Sequence, residues 1–159
     1  MNKSALRDTL LDRLRADLAL QTGAAQFARD EAISEESRAE NKYDTHSQEA
    51  AYLAEGQARQ AAEIEASLAL YSTLPFPDFS GGGAIAVGAV VELSGNGRSS
   101  WYLIGPRAGG TELECEGRHV LVVTPQSPLG GQLVGKRVGD LVTSPGRATA
   151  TKLRIAAVG

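Results

Sequence analysis

A chain of 159 residues with 42% hydrophobic, 22% charged and 5% aromatic side chains has ordinary globular composition, and its length suits one domain or two small ones. No apolar run approaches the roughly 18 residues that cross a bilayer, and the amino terminus, MNKSALRDTLLDRL, carries acids where a signal peptide needs an apolar stretch, so a cytoplasmic protein without membrane association is expected. One cysteine, Cys115, and two histidines, His46 and His119, exclude a disulfide framework and a four-ligand zinc site built from this chain alone.

The net charge of −3 hides an asymmetry. Residues 1–79 carry eight bases against fourteen acids, a balance of −6, whereas residues 80–159 carry eight bases against five acids, a balance of +3. The first part is poor in glycine and proline and rich in alanine, leucine, glutamate and arginine, which favour helix. Leu6, Leu10, Leu11, Leu14, Leu18, Ala25, Phe27, Ala28 and Ala32 recur at steps of three and four, as an amphipathic helix requires. A second stripe, Ala50, Leu53, Gln57, Ala61, Ile64, Leu68 and Tyr71, runs down to Leu74, where Pro75 and Pro77 stop it.

Two long helices with one apolar seam each remove both seams from water by packing as an antiparallel coiled-coil hairpin. Pairing Phe27 with Leu53, Leu18 with Ile64, Leu14 with Leu68 and Leu11 with Tyr71 centres the turn near residue 40 or 41. Thr45-His46-Ser47-Gln48 has the form of a capping box and predicts a second helix beginning near Thr45. A first helix of about 35 residues is on the order of 50 Å long, so the sequence predicts a rod with its tip at 37–44.

Past a linker at 75–83 the pattern changes to glycine-punctuated β runs. Strands are predicted at Val87–Leu93, Ser99–Ile104, Thr111–Glu116, His119–Thr124, Gly139–Thr143 and Thr151–Val158, with Gly95-Asn96-Gly97 as a hairpin turn. Ser127 before Pro128, and Gly135 further on, bracket a short helix over Pro128–Val134. The predicted class is therefore α+β: a hairpin at 1–74 and, after the linker, a small antiparallel sheet with one short helix at 84–159.

Independent catalysis has little support in these residues. Cys115 lies among Glu112, Glu114 and Glu116, which oppose thiolate formation. His119 opens a β run and His46 sits at a helix start, positions that suit surface and capping roles. Gly81-Gly82-Gly83 lacks the lysine and hydroxyl of a phosphate-binding loop. The bases of the second part are dispersed and not interleaved with aromatics, so no sequence-specific DNA binding is expected. The tip is distinctive: Asp30, Glu31, Glu35, Glu36, Glu40, Asp44 and Glu49 against Arg38 and Lys42 give it a charge of −5. A solvated helical face has this composition. So does the end of a rod that brings carboxylates to a divalent cation.

The segment Val122-Val123-Thr124-Pro125-Gln126-Ser127-Pro128-Leu129-Gly130-Gly131-Gln132-Leu133-Val134-Gly135-Lys136-Arg137-Val138-Gly139-Asp140-Leu141-Val142 resembles the carboxy-terminal signature of the GreA/GreB transcription elongation factor family. Gly88–Leu93 and Trp101–Gly105 resemble that domain's opening strands, and the order of hairpin then sheet matches the family's coiled coil followed by an FKBP-like domain. The resemblance implies a partner, bacterial core RNA polymerase, with the globular domain at the rim of its secondary channel and the coiled coil inside it. Ser127, Pro128 and Leu129 match the docking loop and short helix. It also implies that no cofactor is bound stably: tip carboxylates reach a Mg²⁺ shared with the polymerase active site, and the nascent RNA 3′ end is met only indirectly. Glu40-Asn41 reproduces the second part of the family's tip motif, but Ser37 stands where its aspartate belongs. Glu36, Glu40 and Asp44 are then the candidate carboxylates, with Asn41 a candidate partner contact.

A monomeric accessory factor, not an enzyme, is expected. Four readings stay open: a stimulator of transcript cleavage, a non-cleaving factor that occupies the channel to modulate initiation or pausing, an unrelated coiled-coil adaptor, and a prolyl isomerase of FKBP-like fold.

Overall fold

The computed structural model describes residues 1–36, 45–95, 97–143 and 152–159. Two long helices, α1 (Lys3–Glu36) and α2 (Thr45–Thr73), precede strands β1 (Val90–Gly95), β2 (Arg98–Ile104), β3 (Glu112–Cys115) and β4 (Arg118–Val123), a short α3 (Gly130–Leu133), and strands β5 (Leu141–Thr143) and β6 (Lys152–Val158). The α+β class and all six strands agree with the sequence reading. The chain divides into two units, Leu11–Ser72 and a second that joins Met1–Leu10 to Thr73–Gly159.

Within the helical unit, α2 starts at Thr45, as its capping box predicts, and ends two residues before Pro75. The seam differs from the expected one. Buried or half-buried positions on α1 include Leu11, Leu14, Leu18, Gln21, Ala25 and Ala28, and on α2 they include Ala54, Gln57, Ala61, Ile64, Leu68 and Tyr71. Both series alternate steps of three and four, the repeat of a coiled-coil seam. Phe27 and Leu53, expected to face each other in it, are 72% and 55% exposed. Ala28 and Ala54, each one residue further on, take the inward positions, because a one-residue step turns a helical side chain by about 100°. A groove of about 220 Å³ between the helices is lined by Thr22, Ala25, Gln26 and Arg29 from α1 and by Ala58, Ala61, Ala62 and Glu65 from α2. It shows the helices lying side by side over this stretch.

In the second unit the strand order is β3-β4-β2-β1-β6-β5. Neighbours are antiparallel except β2 and β4, which run parallel with Trp101 beside Val120 and Ile104 beside Val123, so the sheet is mixed where an antiparallel one was expected. The reason is topological: after β2 the chain runs back along β3, one place further out, and returns as β4 in the gap between them, so β4 points the same way as β2. Ile85, Val91, Leu93, Ile104, Leu129, Leu133, Val142 and Ile155 form the core against α3. At about 25 cal/mol per Å² of apolar surface, burial of this kind is the main stabilising contribution in so small a unit.

The first turn of α1 belongs to this unit. Asn2 caps it, its Oδ1 accepting from the backbone N–H of Ser4 at 2.9 Å and of Ala5 at 3.2 Å. Lys3 Nζ donates to the carbonyl oxygens of Pro77 and Gly88 and lies 4.8 Å from the Phe79 ring centroid. One turn later Arg7 donates to the Leu74 carbonyl and stacks 4.7 Å over Phe76. Burial pushes the Lys3 ammonium below the usual lysine value, against the opposing charge of Asp78. Leu74 and the first part of the 75–83 segment read in the sequence as a linker are thus held by two cations from the start of the chain.

Candidate functional site

The segment that carries the family resemblance folds as a compact unit of turns. The chain leaves β4 at Val123, and Ser127 closes the first turn: its N–H donates to the Thr124 carbonyl at 2.9 Å, and its Oγ donates to the same carbonyl at 2.8 Å. That Oγ accepts from the Gly130 N–H at 3.0 Å, while the Ser127 carbonyl accepts from the Gly131 N–H at 2.9 Å. Ser127 therefore does the work of a helix cap, one turn ahead of α3. Regular helix covers Gly130–Leu133 rather than the expected Pro128–Val134, because Pro128 and Leu129 are spent in this turn. Ser127→Ala is expected to cost about 1 kcal/mol of stability, read as a lower denaturant midpoint of the sheet unit by Trp101 fluorescence; an unchanged midpoint would show that the cap carries no weight.

The three residues expected to meet a partner are placed differently. Pro128 is exposed, and Ser127 is half-buried with its hydroxyl committed to the turn. Leu129 is only 6% exposed and packs in the core beside Leu133, so its side chain anchors the loop from within. Sequence reasoning missed Gln132, whose side chain behaves like a strand partner: its Nε2 donates to the Thr143 carbonyl at 3.0 Å, and its Oε1 accepts from the Thr143 N–H at 2.9 Å. It also missed that Val134, Val138 and Leu141 stay 41%, 51% and 49% exposed. These apolar residues lie in water along the same segment as Pro128, with Lys136 and Arg137 between them.

Gly135, at φ +85°, stops α3 as predicted, and residues 135–136 pair with Ile85 through bonds of 2.8 Å in both directions. The Val138-Gly139-Asp140 turn is closed by Asp140, whose Oδ2 accepts from the Arg137 N–H at 2.9 Å. Arg137 in turn donates to the Gly82 carbonyl at 3.0 Å, which ties the glycine run down.

At the tip, α1 ends at Glu36, whose side chain lies outside the described residues, as do Glu40, Asn41 and Asp44 entirely. Among the described residues no three His, Cys, Asp or Glu side chains are grouped as metal ligands would be. Cys115 is buried on β3. His119 points into solvent with Nε2 3.5 Å from Glu114. A concavity of about 490 Å³ at the ends of β2 and β4 is lined by residues that include Trp101, Tyr102 and Glu112, and the Arg118 guanidinium lies 4.9 Å over the Trp101 ring, where a stacking ligand would sit.

These features define an α+β protein with a long helical hairpin and a small mixed sheet whose Ser127–Val142 segment presents apolar residues to solvent. No family model and no curated protein matches the sequence. Among solved structures, its neighbours include the transcription factor Gfh1, 21% identical over 93% of this chain and 92% of that one, with a TM-score of 0.42. GreA factor homolog 1 of Thermus thermophilus is 22% identical over 94% of both chains, with a TM-score of 0.40. The GreA/GreB elongation factor of Nitrosomonas europaea is 15% identical over 70% of this chain and 91% of that one, with a TM-score of 0.38. No helix among the described residues is long and apolar enough to cross a membrane.

Proposed function

We propose that this chain is a Gre-like accessory factor of bacterial RNA polymerase: residues 84–159, together with Met1–Leu10 of the same unit, dock at the rim of the secondary channel, residues 75–83 link, and the helical unit, Leu11–Ser72, enters the channel as a hairpin. The observation that carries the reading is the Val122–Val142 segment. It resembles the family signature residue by residue, and it folds as a strand, a Ser127-closed turn with Pro128 in solvent, a short helix stopped at Gly135 and an Asp140-closed turn. Val134, Val138 and Leu141 add exposed apolar surface to that docking segment.

In this reading Glu36, Glu40 and Asp44 supply carboxylate oxygens, and Asn41 a polar contact, near a Mg²⁺ that belongs to the polymerase. The metal's chemistry is to generate a nucleophilic water and to stabilise an in-line phosphoryl transition state. The factor supplies ligands at the end of a hairpin, and any hydrolysis of RNA is done by the polymerase. Ser37, standing where the family motif has an aspartate, favours a second form of the same reading, in which the hairpin occupies the channel and modulates transcription without cleavage.

A stalled, backtracked elongation complex given this protein and Mg²⁺ separates the two forms. The cleaving form predicts shortened RNA, weakened by Glu40→Ala or Asp44→Ala with binding retained. Binding with unchanged transcript length assigns the chain to the non-cleaving form. Failure to bind the complex at low salt removes both.

A further inference from the structure

The buried seam fixes which side of the helical unit every other residue occupies. With Leu11, Leu14, Leu18, Gln21, Ala25 and Ala28 inward on α1, and Ala54, Gln57, Ala61, Ile64, Leu68 and Tyr71 inward on α2, one flank of the pair carries Thr22, Arg29, Ala58 and Glu65, which line the groove already described. The opposite flank carries Leu20, Ala24 and Phe27 from α1 and Leu53 and Gly56 from α2. Leu20 is 71% exposed, Phe27 72% and Leu53 55%. Large apolar side chains cost free energy in water, and three of them on one flank of a helix pair, with small residues between, make a continuous face for a partner.

The rim of the face states what that partner carries. Towards the tip it is bounded by Glu31 and Glu49, towards the other end by Asp17 and Glu63, all on the same flank by the same count. Its single base among the described residues, Arg13, and Asp17 pair with each other at 3.1 Å, so Glu31 and Glu49 are the acids that give the rim its sign. A second copy of the chain would bring acidic rim onto acidic rim, and an anionic lipid or nucleic acid surface would be repelled in the same way. A protein surface with an apolar groove bordered by lysine and arginine satisfies both the apolar centre and the charged border.

We infer that the Leu20–Phe27–Leu53 face is the docking surface of the hairpin for such a protein groove. The inference rests on the functional reading above, in which the occupant is the protein wall of the polymerase channel. The fluorescently labelled full chain is titrated against bacterial core RNA polymerase, with Leu20→Ser/Phe27→Ser and Glu31→Lys/Glu49→Lys as variants and the helical melt of each recorded. Both variants replace exposed side chains, so their melts should match wild type. Each should weaken binding roughly tenfold or more, and the charge reversal should reduce the salt sensitivity of binding. Wild-type affinity in both variants overturns the docking face and leaves the polymerase reading standing. A wild-type chain that does not bind polymerase overturns both. A concentration-dependent dimer that Leu20→Ser/Phe27→Ser dissolves overturns the inference in favour of a second copy.

Discussion

Gly130→Ala should remove most of the stability of the sheet unit. A Cβ at this position would lie 2.0 Å from the Thr124 carbonyl oxygen, 2.7 Å from its carbon and 3.0 Å from Ser127 Oγ. The first two are backbone atoms, and that carbonyl already accepts from the Ser127 N–H and hydroxyl, so it has no free direction in which to yield. Relief requires α3 to lift from the sheet, which withdraws Leu129 and Leu133 from the core. The expected cost is about 3 kcal/mol or more, the upper range for overpacking. Trp101, the only tryptophan of the chain, lies on β2 and reports this unit through its fluorescence. A denaturation curve for Gly130→Ala that superposes on wild type would refute the packing described for this turn.

Replacing the two seam glutamines should have the opposite sign. Gln21 and Gln57 each place a buried Oε1 without a hydrogen-bond partner among the described residues. A buried acceptor left unpaired costs about 1 to 3 kcal/mol, and leucine has similar volume without that atom. Gln21→Leu/Gln57→Leu is therefore expected to stabilise the hairpin by about 2 kcal/mol or more, seen as a higher thermal midpoint in far-ultraviolet circular dichroism. A lower midpoint would mean that the amides hold the two helices in register, as polar seam residues do in some coiled coils.

Those glutamines also explain where the sequence misleads. The helices, their ends and the six strands are legible because proline, glycine, capping residues and β-branched runs act locally. The seam is not, because a count of hydrophobicity favours Phe27 and Leu53 over Ala28 and Ala54, although strict alternation of three and four through Gln21 on α1, and back from Gln57 on α2, selects the alanines. The parallel β2–β4 pair escapes for another reason: alternation of side chains is the same whichever way a neighbour runs, so direction is decided by the crossover and not by the strands. At the docking segment, Ser127 and Gly135 announce the turn and the helix stop. The inward commitment of Leu129 and the exposure of Val134, Val138 and Leu141 depend on how α3 settles on the sheet, which no local signal contains.

The account stands on one partnership, and the most direct measurement of it is equilibrium titration of the full chain against bacterial core RNA polymerase at low salt, with Pro128→Ala in parallel. Saturable one-to-one binding that Pro128→Ala loosens is the predicted result, because Pro128 stands in solvent on the docking loop while Leu129 holds that loop from inside. Wild type that does not bind, in conditions where its Trp101 fluorescence shows a folded sheet unit, would contradict the account.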